Sequence, residues 1–127
     1  MNYIKNRIYN PFAKSGHRIP PFKLTISLDR RQILYEKLQL DYPDKIPIIV
    51  HGININISKT KFLVTETMTI ADVTNRIKEF TTFTMDKKFS LQVQDGTTLE
   101  SLDLVGKVYS KYKDSEDKLL YIWLMIQ

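Results

Sequence analysis

Few side chains in this 127-residue sequence are of the types that do covalent or metal chemistry, and those few are scattered. There is no cysteine, which removes a disulfide framework, a thiol nucleophile and a zinc–thiolate centre. His17 lies near the amino terminus and His51 at a strand end, neither beside residues that would make a triad or a metal set, and there is no glycine-rich phosphate loop. Asp114, Glu116 and Asp117 sit among lysines and read as a solvated loop rather than a cation site. No catalytic residue, cofactor or metal is expected, and the chain is not read as an enzyme. What remains is recognition through charge and apolar surface.

The charge is uneven. Residues 1–27 carry Lys5, Arg7, Lys14, Arg18 and Lys23 with no acidic residue, while the remaining 14 basic and 14 acidic residues cancel. A basic extension over 1–27 is therefore expected ahead of a neutral domain over 28–127. Such an extension is either a solvated, mobile tail or a contact for anionic lipid, nucleic acid or an acidic protein surface. Phe12 and Phe22 are large enough to anchor it on the domain. No apolar run approaches the roughly 20 residues of a membrane span, and no signal-peptide core is present, so the chain reads as soluble and intracellular. Its length is that of one domain with a real core.

The elements follow from periodicity and breakers. Ser27 or Asp29 can cap a helix in which Leu34, Leu38 and Tyr42 form an apolar stripe flanked by Ile33 and Tyr35. Pro43 ends it near Tyr42, because a proline cannot continue a helix and pushes its predecessor out of helical geometry. Ile46 to Val50 is then too short for a helix and reads as a strand covered on both faces. Gly52 breaks that strand, and Lys61 to Thr65 pairs back on it as a hairpin. The alternation Ile53, Ile55, Ile57 with Asn54 and Asn56 either extends the strand or forms a loop. Thr69, reciprocated by Asp72, caps a helix carrying Ile70, Val73, Ile77 and Phe80. Phe89, Leu91 and Val93 alternate as a strand closed by Asp95-Gly96, and a short helix runs from about Ser101 through Leu102, Val105, either Val108 or Tyr109, and Tyr112. Leu119 to Gln127 is a second doubly apolar strand. Two such strands belong side by side at the middle of a sheet. The predicted fold is α+β: a ubiquitin-like β-grasp with an additional N-terminal helical segment packed on the second sheet face.

At this point the sequence resembles the autophagy-related ubiquitin-like modifiers, the group of autophagy-related protein eight, GABA-receptor-associated protein and light chain three. The resemblance rests on Tyr42-Pro43-Asp44-Lys45-Ile46-Pro47-Ile48-Ile49-Val50, on Lys59-Thr60-Lys61-Phe62-Leu63-Val64 leading into Met68-Thr69-Ile70, and on Leu119-Leu120-Tyr121-Ile122. It implies a modifier or adaptor that binds aromatic-x-x-aliphatic receptor motifs by adding them as a strand to the edge at Lys59 to Val64, over two apolar pockets two residue pitches apart. By the same resemblance the first pocket is lined by Leu38, Pro47, Ile49, Lys61, Leu63 and Leu119. The second is lined by Phe62, Val64, Met68, Val73 and Ile77, with Lys45 and Lys59 facing acidic residues beside the motif. It further implies a monomer in the cytoplasm that is recruited to autophagosomal membranes, with receptors, adaptors and the conjugation machinery as partners and no nucleic acid. Attachment to phosphatidylethanolamine requires a carboxy-terminal glycine beyond Gln127 in the full-length protein. The alternative is a non-conjugated ubiquitin-like scaffold whose basic extension binds membrane, tubulin or nucleic acid. The sequence departs from the family pattern at Arg76, where an apolar pocket residue is usual, at Val73, which is smaller than the usual aromatic, and at Leu34, where an acid is common.

Overall fold

The computed structural model of the chain describes residues 18–82 and 87–127. It opens with one turn of helix, α1 (Pro21–Thr25), whose Pro21 stands at the first helical position, where a missing N–H costs nothing. Helix α2 (Leu28–Asp41) is capped by Ser27, whose hydroxyl accepts the Arg30 N–H, and it closes where the Tyr42 N–H bonds the Leu38 carbonyl ahead of Pro43. Strands β1 (Lys45–Gly52) and β2 (Lys61–Thr65) pair antiparallel. Helix α3 (Ile70–Lys78) starts with the expected capping box between Thr69 and Asp72. Strand β3 (Phe89–Gln92), helix α4 (Val105–Tyr112) and strand β4 (Leu120–Ile126) complete the domain.

The sheet order is β2-β1-β4-β3, with β1 and β4 parallel at its centre. Both faces of that central pair are covered. Ile48, Val50, Leu120, Ile122 and Leu124 join Phe62, Val64, Ile70, Val73, Ile77 and Val105 in the main core, whereas Ile49, Leu119, Tyr121 and Trp123 form a second cluster with Phe22, Leu34 and Tyr35. The period of two along a strand sends alternate residues of β1 to opposite layers. This is the β-grasp arrangement with added helices on the second face. Among the described residues no helix is long and apolar enough to cross a membrane.

Three local expectations are corrected, and one left open is decided. The buried stripe of α2 is rotated: Arg31 is buried and Leu34, Tyr35 and Leu38 half-buried, while Ile33 and Tyr42 stay exposed. The reason is across the interface, where the buried Asp117 carboxylate draws Arg31 inward. The loop expected to be solvated is thus partly core, with Asp114 and Asp117 both buried. Ser101 to Leu104 is not helical, and Leu102 is exposed. Its backbone is used elsewhere: the Asp103 and Ser101 carbonyls accept the first N–H groups of α3 from Ile70 and Ala71, which a helix through those residues could not offer. Residues 53–60 form a loop that folds back over the end of β1, with Asn54 in the left-handed region (φ 58°) and Ile55 buried. A β-carbon on Gly52 would stand 2.3 Å from the Ile55 carbonyl oxygen, so glycine is required for this return.

The described part of the basic extension, residues 18–27, packs on the domain. The Arg18 guanidinium lies 5.4 Å over the Trp123 ring and bonds the Gln92 side chain, and Phe22 meets Tyr121 at 6.3 Å. Lys23 pairs with Asp114 and Glu116. Phe12, His17, Lys5, Arg7 and Lys14 lie outside the described residues.

Candidate functional site

Strand β2 stands at one end of the sheet order, so one of its edges is unpaired among the described residues. The Val50 N–H bonds the Thr60 carbonyl. Alternation of bonded and non-bonded pairs in an antiparallel ladder then turns the N–H and C=O of Lys61, Leu63 and Thr65 outward. Pro47, which has no N–H to give, is paired with Leu63 at one of the non-bonded positions. The edge is therefore a template for another strand, offering donors and acceptors two residues apart.

Cations surround it. Lys45 is on β1, Lys59 precedes β2, Lys61 is within it, and Arg76 reaches across from α3, where its Nη1 donates to the Leu63 carbonyl at 3.3 Å. Among the described residues none of the four is in an ion pair. Lys59 instead lies over the rings of Phe62 and Phe80, and Lys61 over Phe22.

The residues proposed for the two pockets lie on opposite faces of this edge, not at two places on one face. Pro47 and Ile49 pair with Leu63 and Lys61, and Ile49 joins Leu119 in the cluster beneath α1 and α2, whereas Leu38 is half-buried on α2 and is not part of that cluster. Leu119 is fully buried and lines no surface. An opening of about 210 Å³ does reach Ile49. Its walls come from Pro20, Phe22, Thr25, His51, Thr60 and Trp123, on the side toward the extension rather than toward Leu38 and Leu63. Sequence periodicity misses these walls because they come from an irregular segment and from strand ends. Half-burial pushes the His51 imidazole below its usual pKa, so it stays neutral beside the apolar opening.

On the other face Phe62, Val64, Val73 and Ile77 are 0–3% exposed and serve as core, leaving Met68 half-buried and Arg76 at the rim. Alternation along β2 explains the division: Phe62 and Val64 must point toward α3 if Lys61 and Leu63 point toward α2.

Behind the first face, α2 is held by a buried charge network. The Asp117 Oδ2 accepts from Arg31 Nε at 2.8 Å and from the Tyr121 hydroxyl at 2.6 Å, and its Oδ1 accepts the Leu119 N–H. Burial and this carboxylate raise the Tyr121 pKa, so the phenol remains a donor. Asp114 is subject to opposing effects: burial raises its pKa, but Lys23 and the N–H groups of Asp117 and Glu116 outweigh that and hold it below the usual carboxylate value. A depressed folded-state pKa contributes stability that is present above the unfolded value of about 3.9 and lost as pH falls through the folded value. The stability gap between wild type and Asp114→Asn is therefore expected to be larger at pH 5 than at pH 2.5 in urea unfolding. A gap independent of pH would contradict the pairing with Lys23.

The geometry describes a charged strand edge with an apolar opening beside it. Comparisons place the chain. Residues 30–126 match the family described as autophagy protein Atg8, ubiquitin like. Autophagy-related protein 8 of Dictyostelium discoideum is 30% identical over 108 residues, covering 82% of this chain and 88% of that protein. Autophagy-related protein 8c of Arabidopsis thaliana is 30% identical over 105 residues, covering 80% and 87%. The crystal structure of Trypanosoma brucei ATG8 superposes with a TM-score of 0.78 at 24% identity, covering 87% of this chain and 97% of that one, which supports the fold. With its fold and three-quarters of its length matched in this way, the chain belongs to the Atg8 family of ubiquitin-like autophagy proteins.

Proposed function

We propose that this protein is an autophagy adaptor or modifier that docks aromatic-x-x-aliphatic receptor segments as an added strand on β2. The observation that carries the reading is the unpaired edge with outward backbone groups at Lys61 and Leu63, set among cations that have no ion-pair partner among the described residues. The peptide's aromatic side chain enters beside Ile49, under Pro47, Lys61 and Leu63 with Leu38 on the far side. Leu119 floors that region from within. The residue three further on points to the α3 face, toward Met68 and the rim above Phe62, Val64, Val73 and Ile77. Lys45 and Lys59 attract acids flanking the motif. The protein works in the cytoplasm and is recruited to autophagosomal membranes, through conjugation to phosphatidylethanolamine where the full-length product carries the required glycine.

Affinity for such a peptide with acidic neighbours is expected in the micromolar range, about 8 kcal/mol. Leu63→Arg removes an apolar contact of about 1.5–3 kcal/mol and should weaken binding about tenfold or more in a calorimetric titration. Unchanged affinity in a folded Leu63→Arg variant would remove the assignment.

A further inference from the structure

We infer that the second subsite of this protein is built for a carboxylate: Arg76 selects an acidic side chain at the fourth position of a docked strand in preference to an aliphatic one. The inference rests on the strand-addition reading and replaces the aliphatic residue of that reading, at the fourth position, with an acidic one.

A strand's period of two sends its first and fourth residues to opposite faces. With the first residue beside Ile49, on the α2 face, the fourth must face α3. The apolar side chains beneath that position, Phe62, Val64, Val73 and Ile77, are closed into the core at 0–3% exposure, and Met68 is half-buried. The group that does stand at the edge is the exposed Arg76 guanidinium, 3.3 Å from the Leu63 carbonyl. That carbonyl is one of the outward acceptors a docking backbone would use. The guanidinium is thus already at the level where a fourth-position side chain arrives.

Its charge is available. Among the described residues Arg76 is in no ion pair, and the acid one turn earlier on α3, Asp72, is committed to the Thr69 N–H at 3.1 Å in the capping box. Lys45, Lys59 and Lys61 add to the positive field along the same edge. A guanidinium presents paired N–H donors that match the two oxygens of a carboxylate, and this bidentate pairing of opposite charges exceeds the single bond it now makes to an uncharged carbonyl. An aliphatic side chain placed there would cover the guanidinium without replacing its solvation.

The test compares two peptides identical except at the fourth position, aromatic-x-x-Leu and aromatic-x-x-Glu, titrated into wild type, Arg76→Leu and Arg76→Gln by fluorescence anisotropy at low and high salt. Wild type is expected to bind the Glu peptide about tenfold tighter at low salt, with the margin shrinking as salt rises. Both variants should lose that margin, and Arg76→Leu should favour the Leu peptide. Arg76 is exposed, so unchanged thermal unfolding of the variants confirms that the fold is kept. A Leu-peptide preference in wild type, or a Glu preference that survives both substitutions, overturns the role of Arg76 while leaving strand addition in place. Failure of wild type to bind either peptide overturns strand addition itself, and this inference with it.

Discussion

Replacing Asp117 by alanine is expected to lower the unfolding free energy by about 3–5 kcal/mol, because it leaves the buried Arg31 guanidinium without its counter-charge. Among the described residues Arg31 then retains only the Ile26 carbonyl at 2.6 Å, and the Tyr121 hydroxyl and the Leu119 N–H each lose an acceptor in the interior. Unmet buried donors each cost about 1–3 kcal/mol on their own. Asp117→Asn should be milder, since an amide oxygen can still accept from Leu119 or Tyr121. Urea unfolding followed by tryptophan fluorescence reads this directly, Trp123 being the single tryptophan and lying in the same cluster. A loss under 1 kcal/mol in the alanine variant would mean that Arg31 finds water instead, which its burial argues against. The effect bears on the proposed function because this network fastens α2 to the start of β4, over the sheet face on which the first residue of a docked strand is proposed to sit.

Leu63→Pro is expected to abolish strand docking, reducing peptide affinity well over tenfold, at a far smaller cost to the fold. At the alternate positions of an edge strand, where the N–H points inward, a proline breaks the sheet's own ladder. Here the Leu63 N–H points outward and its partner across the pair is Pro47, so no internal hydrogen bond is removed. The ring would take the place of the hydrogen a docked strand must bond. Leu63→Arg tests the side chain, whereas the proline tests the backbone. A folded proline variant that still binds would show that the peptide uses some other surface.

Much of the fold was legible because short-range rules and burial agree. Pro43 ends α2, Thr69 and Asp72 start α3, and the doubly apolar runs around Ile48 and Ile122 pair at the sheet's centre. The failures share one cause: partners distant in sequence. Arg31 sits one turn before Leu34 and two before Leu38, on the face that is buried, yet only the arrival of Asp117, 86 residues later, makes burying it favourable. Ser101 to Leu104 has helical composition, but its carbonyls are committed to the first turn of α3. The candidate site divides in the same way. The edge strand and its lysines can be read from alternation, and the division of the pockets between two faces follows from it. The walls of the opening beside Ile49 cannot, since Pro20, Phe22 and Thr25 belong to a segment whose position is fixed by Trp123, Tyr121 and Asp114.

The parallel pairing of β1 with β4 has a consequence for how the protein is made. The docking edge is two strands from β4, and β1 cannot be covered on its inner side until residues 120–126 have emerged from the ribosome and reached it. Closing so long a loop is entropically slow. During synthesis the hairpin of β1 and β2 would therefore present both edges, with the apolar faces of β1 still uncovered on the β4 side. A nascent chain in that state would expose apolar surface that β4 covers in the finished fold, the condition in which partly folded chains aggregate.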